Sequence, residues 1–289
     1  MPGPEHDEGR RRLTAEIAAA AEQLARAGVP SPPVDARRLA AHLLGVTELV
    51  AVGEIPATFW AEYRAMVARR ADRVPLQHLT GWTPFRHLRL IVRAGVFVPR
   101  PETELVAQAA IDEARRRPGV VVLDAGTGTG AIAVSVASEV PSARVLAFDI
   151  DPDAVALAGE NAAAAGVRVA ISQRDVRDAS GWAALPELDV LVSNPPYIPP
   201  DARPTEPEVL RHDPPRALYG GGPDGLRLPA AVVALARARL RPGGLLVMEH
   251  ADSQGESVRA LVAAGGGFTD IVTHRDLAGR DRFVTARRG

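Results

Sequence analysis

Residues 120–130 read VVVLDAGTGTG, an uninterrupted apolar run followed by an aspartate and three closely spaced glycines. A continuous run of branched apolar side chains is typical of a parallel strand that is covered on both faces. Glycines allow the backbone to turn tightly and to approach a ligand closely, and an apolar helical pattern follows them. The stretch therefore predicts a buried strand, a tight turn and a helix that begins at the turn.

The same order of strand, turn and helix is repeated toward the end of the chain. Further strand-like stretches lie at residues 145–148, 167–171, 190–192, 245–248, near 268–273 and near 282–285. Helical patterns separate the first five strands, which indicates an open, doubly wound α/β domain with a mostly parallel sheet. Ligands of such domains bind outside the carboxyl ends of the strands, so residues that follow strands are the candidates for a site.

The chain before residue 100 follows different patterns. Between residues 10 and 72, apolar residues recur at helical spacing and no glycine-rich loop interrupts them. Apolar residues then alternate with others at 88–92 and again at 96–98, which predicts a β-hairpin between these two stretches. We therefore predict a small helical domain over residues 1–74, a hairpin linker over 75–99 and the α/β domain over 100–289.

Composition narrows the class of protein. The formal net charge is −1 and no long basic run occurs, whereas nucleic-acid-binding proteins usually carry a basic excess or stripe. Cysteine is absent, which excludes disulfides and thiolate zinc sites, and we expect no metal. No apolar run approaches the roughly 18 residues of a membrane span, and Met1–Arg12 lack the apolar core of a signal peptide. These features favour a cytoplasmic protein without a membrane partner.

The glycine loop and a second carboxylate predict a nucleotide-type ligand. Asp149 ends the second predicted strand, roughly twenty residues after the loop, where a carboxylate can accept both hydroxyls of a ribose. The two features together predict an adenosine-type cofactor across the strand ends. They leave a dinucleotide and S-adenosylmethionine open, because Gly126, Gly128 and Ala131 also fit the relaxed dinucleotide fingerprint.

Two further acidic positions lie after strands. Asp151 and its acidic neighbours have some of the spacing of a calcium loop, but Ala154 stands where that loop needs glycine. Asp151 is better interpreted as the N-cap of a helix whose first residue is Pro152. After the third strand, Asp175 can bind an adenine amino group and Val176 can cover the ring, with a plain surface loop as the alternative.

The motif that indicates the chemistry is Asn194-Pro195-Pro196-Tyr197, which follows the fourth predicted strand. Two prolines stiffen the loop and remove two backbone donors, so carbonyl acceptors remain. The side chain of Asn194 and the carbonyl of Pro195 can accept the two hydrogens of a planar NH₂ group, while Tyr197 can stack on it. An amide or aniline-like nitrogen held in this way can attack an activated methyl group in line, with positioning and electrostatics as the main sources of catalysis.

With these motifs, the sequence resembles the HemK/PrmC protein-(glutamine-N5) methyltransferases, which modify peptide chain release factors. The resemblance extends over nearly the whole chain and includes residues 75–81, 98–104, 124–130, 194–197 and 248–250. It implies a class I S-adenosylmethionine-dependent methyltransferase fold, Rossmann-like with a seven-stranded, mostly parallel sheet, behind a helical substrate-recognition domain and a hairpin linker. The implied substrate is the glutamine of the Gly-Gly-Gln motif of class 1 release factors, and we expect a monomer without direct nucleic-acid binding.

The resemblance also implies which residues act. Those expected to contact S-adenosylmethionine are Gly126, Thr127, Gly128, Thr129, Gly130, Asp149, Ile150, Asp175, Val176 and Asn194. Asn194, Pro195, Pro196 and Tyr197 are expected to hold the glutamine, with Asn194, Pro195 and Tyr197 as the catalytic group. Phe85 and residues 100–104 are expected to border the pocket. Val176 departs from the family pattern, in which an aromatic residue is common.

The main alternative is a methyltransferase that acts on the exocyclic amine of adenine or another base in DNA or RNA. The Asn-Pro-Pro-Tyr motif suits that chemistry equally well, but such an enzyme must also hold a polyanion and extract a base. The predicted helical domain mixes acidic residues with its arginines and shows no net basic run. A dinucleotide-dependent oxidoreductase or a non-catalytic module would leave residues 194–197 without a role.

Overall fold

The structure is a computed structural model that describes residues 4–289. Of the amino-terminal stretch Met1–Arg12, residues 1–3 lie outside the described residues. The chain separates into two compact units. The helical unit comprises the residues up to Gly81 together with Thr205–His212, and the sheet unit comprises Trp82–Pro204 and Asp213–Gly289. The proposed boundaries at 74/75 and 99/100 stay predictions. Within residues 4–289, no helix is long and apolar enough to cross a membrane.

Helices and strands are numbered separately in chain order. The helices are α1 (Pro4–Arg26), α2 (Pro32–Leu43), α3 (Phe59–Ala71), α4 (Leu76–Thr80), α5 (Thr103–Ala114), α6 (Ala131–Glu139), α7 (Pro152–Ala164), α8 (Ala179–Trp182), α9 (Pro207–His212), α10 (Arg227–Arg239) and α11 (Gly255–Gly265). The strands are β1 (Trp82–Phe85), β2 (Leu88–Ile91), β3 (Val121–Ala125), β4 (Arg144–Asp149), β5 (Ala170–Gln173), β6 (Leu188–Ser193), β7 (Leu240–Glu249), β8 (Phe268–Arg275) and β9 (Asp281–Arg288).

The helical unit has an apolar and aromatic core of its own. Leu24 of α1, Leu39 of α2 and Tyr63 of α3 are buried there. The hydroxyl of Tyr63 donates to the carbonyl of Ala36 at 3.1 Å, which satisfies the polar end of an otherwise apolar side chain. Its ring stacks on that of Phe59 with centroids 5.4 Å apart. The predicted small helical domain is confirmed.

A buried ionic cluster connects α2, α3 and α9 within the helical unit. Arg70 donates to Asp35 at 2.7 Å and to Glu208 at 2.9 Å, and Arg73 donates to Glu208 at 2.8 Å. Burial alone would raise the pKa of Glu208, but the hydrogen bonds from Arg73 and Arg70 outweigh it and lower that pKa to about 2. These contacts make α9 part of the helical unit although it follows β6 in the chain.

The sheet unit contains a doubly wound sheet of seven strands in the described part of the chain. Their order is β5-β4-β3-β6-β7-β9-β8, with β9 antiparallel to both of its neighbours and the other pairs parallel. Val122 and Val190 belong to the apolar core on one face of the sheet, and Leu123 and Leu191 belong to the core on the other. The predicted mostly parallel sheet with helices on both faces is confirmed.

The hairpin exists, but only one of its two predicted strands was right: residues 88–92 coincide with β2, whereas residues 96–98 form no strand. Residues 82–85 pair with 88–91, and Arg86 forms the turn with a φ of 53°. Val96 and Val98 are both buried, and Val96 packs against Leu157 of α7. Alternating burial in an irregular segment therefore imitated the alternation of a strand.

The third parallel strand begins later than the sequence predicted. The prediction placed it at 167–171, whereas β5 covers Ala170–Gln173. The backbone N–H of Val167 donates to the carbonyl of Ala162 at 3.0 Å, so Val167 closes the end of α7. An apolar residue that packs where a helix ends looks, in sequence, like the first residue of the strand that follows.

Candidate active site

A single cavity of about 380 Å³ in the sheet unit collects most of the residues predicted to act. It lies at the carboxyl ends of β3, β4 and β6, where a doubly wound sheet binds its ligands. The predicted residues that line it are Gly126, Thr127, Gly128, Thr129, Asp149, Ile150, Asp175, Val176, Asn194, Pro195, Pro196 and Tyr197. Gly130 is not among the described lining residues. The structure thus brings residues from four separate segments to one place.

The glycine loop is built from left-handed backbone. Gly126, Gly128 and Gly130 have φ angles of 77°, 54° and 81°, a region that is strained for residues with a side chain. Gly130 also packs closely on α7, because a Cβ atom there would lie 3.0 Å from the Cβ of Ala158. Gly130 therefore shapes the loop from behind, while the other two glycines border the cavity.

Asp149 is held by main-chain donors at the end of β4. Its Oδ2 accepts from the N–H of Gly128 at 2.9 Å, and its Oδ1 accepts from the N–H of Asp151 at 3.0 Å. Burial raises the pKa of Asp149, and the backbone hydrogen bonds oppose that rise. Each oxygen keeps a further lone pair, so the carboxylate can also accept from a ligand hydroxyl.

Asp151 forms the helix cap that the sequence predicted. Its side chain accepts from the N–H of Asp153 at 3.1 Å, and Pro152 is the first residue of α7. The side chain of Asp151 also lies 3.0 Å from the guanidinium of Arg216. The cap holds the start of α7 beside Asp149.

Asp124 supports the glycine loop from the interior. Its Oδ2 accepts from the hydroxyl of Thr127 at 2.7 Å and from the N–H of Ala133 at 3.1 Å. Burial raises the pKa of Asp124 to about 7, although both hydrogen bonds act in the opposite direction. The side chain ties the loop to the first turn of α6.

Asp175 and Val176 line the cavity after β5, but the carboxylate of Asp175 already has a partner. Arg177 donates to it from Nε at 3.0 Å and from Nη2 at 2.6 Å, which lowers the pKa of Asp175. The side chain of Asp175 remains 27% exposed. The carbonyl of Val176 accepts from the indole of Trp182 at 3.1 Å. The carboxylate of Asp175 is therefore less available to a ligand in the cavity than that of Asp149.

The loop that follows β6 is held by side chains from distant segments. The amide of Asn194 donates to the hydroxyl of Thr103 at 3.2 Å, and the hydroxyl of Tyr197 donates to Glu249 at 3.4 Å. The side chain of Gln254 donates to the backbone carbonyl of Tyr197 at 2.9 Å. Burial raises the pKa of Tyr197, and the nearby charge of Glu249 raises it further, so the phenol stays protonated.

Two glycines that the sequence analysis passed over allow this loop to form. A Cβ atom on Gly225 would lie 2.3 Å from the carbonyl oxygen of Tyr197. One on Gly220 would lie 2.7 Å from the carbonyl oxygen of Pro196 and 1.8 Å from that of Gly225. The signal was present in the sequence, because residues 220–222 are consecutive glycines. Glycines that cluster without a strand before them indicate a close approach of two backbones.

The expected border of the pocket is only partly right. Phe85 is buried in a core cluster with Leu90 and Val106, and the phenylalanines that line the cavity are Phe97 and Phe148. Within residues 100–104, Thr103 lines the cavity. The notable polar side chain that sequence reasoning left without a role is Glu249, which is 2% exposed.

Comparison with known proteins identifies the family. A model of the PrmC N-terminal domain matches residues 17–81, and a model of the methyltransferase small domain matches residues 88–210. A release factor glutamine methyltransferase from Streptomyces coelicolor is 46% identical over 285 residues, which cover 96% of this chain and 98% of that protein. The relative of the same name from Mycolicibacterium smegmatis is 44% identical over 96% of this chain and 98% of its own. The chain belongs to the release factor glutamine methyltransferase family.

The solved structures agree with the family on the fold. A methyltransferase from Pyrococcus furiosus superposes with a TM-score of 0.52 at 16% identity, over 79% of this chain and 99% of that one. At this identity the likeness shows the fold alone. The class I methyltransferase fold and the family resemblance drawn from the sequence are both confirmed.

Proposed function

We propose that this protein methylates the side-chain amide nitrogen of the glutamine in the Gly-Gly-Gln motif of class 1 peptide chain release factors, with S-adenosylmethionine as the methyl donor. The observation that carries the proposal is the 46% identity to a named release factor glutamine methyltransferase over 96% of this chain. The reaction supports translation termination, and we expect it to take place in the cytoplasm. The adenine-amine alternative is not favoured, because the relatives are named for a protein substrate.

The loop after β6 supplies acceptors suited to a primary amide. The side-chain carbonyl of Asn194 and the backbone carbonyl of Pro195 would accept the two amide hydrogens of the substrate glutamine. This fixes the plane of the amide and raises electron density on its nitrogen. Tyr197 would stack on the planar group. The amide nitrogen would become acidic only as its bond to the methyl carbon forms and the bond from that carbon to sulfur breaks; its proton would then pass to solvent, so a strong base is not needed beforehand.

The other half of the cavity fits an adenosine-type cofactor. S-adenosylmethionine, when bound, supplies a methyl group on a positively charged sulfur. Asp149 has spare lone pairs for ribose hydroxyls, while Ile150 and Val176 offer apolar surface to an adenine ring. The cavity volume of about 380 Å³ lies within the range of cofactor sites. We propose that the residues from Gly126 to Thr129 contact the cofactor as well.

Recognition of the release factor is proposed for the helical unit. The family model of the PrmC N-terminal domain matches residues 17–81, most of that unit. A methyltransferase that modifies one glutamine of a protein needs contacts beyond the small cavity, because a single amide offers few. We propose that the protein acts as a monomer and without direct contact to nucleic acid.

The test is a methyl-transfer assay with S-adenosylmethionine that is labelled on its methyl group. The acceptors are a purified class 1 release factor, its Gln→Ala variant in the Gly-Gly-Gln motif, and DNA and RNA in parallel reactions. We expect label on the intact factor and background counts on the other three. Peptide mapping by mass spectrometry should place a mass increase of one methyl group on the glutamine.

The same assay can contradict the proposal in two ways. Label on nucleic acid with an unlabelled release factor would move the substrate to a nucleobase. Equal labelling of the intact factor and its Gln→Ala variant would move the methylated position elsewhere on the factor. Binding of S-adenosylhomocysteine, measured by calorimetry beside NAD, separates a failure of the cofactor assignment from a failure of the substrate assignment.

A further inference from the structure

Glu249 is a buried carboxylate behind the methyl-acceptor loop, and the proposed function gives it no role. It ends β7, which lies next to β6 in the sheet, and Ser193 pairs with Met248. Asn194, the residue after β6, and Glu249, the last residue of β7, therefore lie next to each other at the carboxyl ends of neighbouring strands. Glu249 is 2% exposed and is not among the described residues that line the cavity, whereas Thr103, Asn194 and Tyr197 are.

Hydrogen bonds connect this carboxylate to both functional side chains of the loop. The hydroxyl of Thr103 donates to Oε2 of Glu249 at 2.8 Å, and the amide of Asn194 donates to Oγ1 of Thr103 at 3.2 Å. The hydroxyl of Tyr197 donates to Oε1 of Glu249 at 3.4 Å. Each oxygen of the carboxylate thus has its own donor.

The number of hydrogens on each group determines which group donates in each of these hydrogen bonds. An ionised carboxylate can only accept, and a threonine hydroxyl has one hydrogen to donate. Thr103 gives that hydrogen to Glu249, so toward Asn194 it can only accept. The Asn194 amide must then place its NH₂ end at Thr103, which leaves its carbonyl end for the substrate.

We infer that Glu249 is a positioning residue for methyl transfer, which fixes the carbonyl of Asn194 toward the substrate through Thr103 and holds Tyr197 directly. The inference rests on the proposed function, because it assigns the Asn194 carbonyl as an acceptor for the substrate amide. Without the carboxylate, Thr103 is free to donate to Asn194. The asparagine amide would then turn and present its NH₂ end to the NH₂ of the substrate.

The experiment measures kcat and the affinity for S-adenosylhomocysteine in Glu249→Gln. Glutamine has nearly the same shape but keeps only one side-chain oxygen, so its NH₂ group must face Thr103 or Tyr197, and one of these two hydroxyls loses its acceptor. We expect kcat to fall about 100-fold, as when one preorganised polar group of an active site is lost. The Kd for S-adenosylhomocysteine should stay within about twofold, which corresponds to a few tenths of a kcal/mol.

Substitutions at Thr103 test the path itself. Thr103→Val keeps the shape and removes the hydroxyl, so we expect kcat to fall about tenfold or more. Thr103→Ser restores the hydroxyl and should recover most of the turnover that valine loses. Glu113→Gln is the control for loss of a carboxylate, because Glu113 binds Arg287 at 2.7 Å outside the cavity, and it should turn over like the unmodified protein.

The ionisation of Glu249 provides a third measurement. Burial raises the pKa of Glu249 to about 7; the hydrogen bond from Thr103 and the charge of Arg282 lower it, while the charge of Glu102 adds to the rise. Tyr197 donates to it, and His250 follows it in the chain. Protonated Glu249 becomes a donor, so kcat at saturating cofactor should fall as pH drops through about 7. Glu249→Gln should lack this decline.

The outcomes are separable from those of the proposed function. If the unmodified protein does not label the release factor, the proposed function fails and the inference with it. If the unmodified protein does label it, the inference is overturned by a Glu249→Gln variant that keeps kcat within about threefold. Equal turnover of Thr103→Val and Thr103→Ser overturns it too. Thermal unfolding serves as the folding control, and we expect no lower melting temperature in Glu249→Gln, because burial penalises the carboxylate.

Discussion

The two halves of the cavity are built by different means. In the cofactor half, Asp149 accepts from the main-chain N–H groups of Gly128 and Asp151, so the chain path alone sets its position. In the acceptor half, Asn194 and Tyr197 depend on side chains that come from other segments, over longer bonds of 3.2 and 3.4 Å. Backbone contacts need only the right local conformation. Side-chain contacts need the whole fold to bring distant residues into register.

The comparison predicts that substitutions in the two halves will change different constants: kcat in the acceptor half and the Kd for the cofactor in the cofactor half. Changes in the acceptor half should lower kcat and leave cofactor affinity nearly intact. Changes in the cofactor half should weaken binding and leave kcat at saturation nearly intact. A variant that moves both constants together would show that the halves are coupled.

The largest effect is expected for Asn194→Ala. The substitution removes one of the two acceptors proposed for the substrate amide, so kcat should fall about 1,000-fold. Affinity for S-adenosylhomocysteine should fall no more than about threefold, because Asn194 is one of many residues that line the cavity. Single-turnover labelling and calorimetry measure the two quantities. Full turnover in this variant would refute the role of Asn194 as an acceptor.

A matched amide provides the control for that variant. Gln108 donates to Asp112 at 2.7 Å on α5 and is not among the described lining residues. Gln108→Ala should therefore leave both kcat and cofactor affinity unchanged. A similar loss in both variants would trace the effect to the fold and not to the site.

An intermediate effect is expected for Asp149→Asn, this time on binding. Two main-chain N–H groups face the two oxygens of Asp149, and an asparagine can accept with only one end. One N–H would then meet an NH₂ group, and the charge that would bind the ribose is lost. The Kd for S-adenosylhomocysteine should rise roughly 10- to 100-fold.

The kcat of Asp149→Asn at saturating cofactor decides whether the halves are independent. We expect it to stay within about threefold of that of the unmodified protein. Asp153→Asn is the control, because Asp153 is an exposed carboxylate in the first turn of α7, the helix that follows Asp149. A large loss of kcat in Asp149→Asn would show that the position of the cofactor, and not its affinity, depends on Asp149.

This difference also explains how far the sequence could be interpreted. Features set by local backbone leave local signals, so the glycine loop, Asp149 and the cap at Asp151 were all found from residue type and spacing. The partnership of Thr103 with Glu249 joins residues 146 positions apart, and no pattern along the chain indicates it. Family resemblance marked residues 248–250 without giving Glu249 a role.

The errors in the fold have a related cause. Sequence alternation reports which side chains are buried and not which backbones pair. Val96 and Val98 are buried in an irregular segment, so they were assigned to a strand. The family resemblance predicted that Phe85 borders the pocket. Phe85 instead packs in the core with Val106, and Phe97 lines the cavity.

The smallest effect is expected for Asp175→Asn, which sharpens the comparison within the cofactor half. Unlike Asp149, Asp175 is partly exposed and already accepts from Arg177. Solvent and Arg177 both weaken the electrostatic interaction of the Asp175 carboxylate with a cofactor. The Kd for S-adenosylhomocysteine should therefore rise no more than about threefold. Calorimetry of Asp175→Asn beside Arg177→Ala measures this. A rise as large as that of Asp149→Asn would mean that the carboxylate leaves Arg177 when the cofactor binds. In that event Arg177→Ala, which removes the competing partner, should bind the cofactor more tightly than the unmodified protein does.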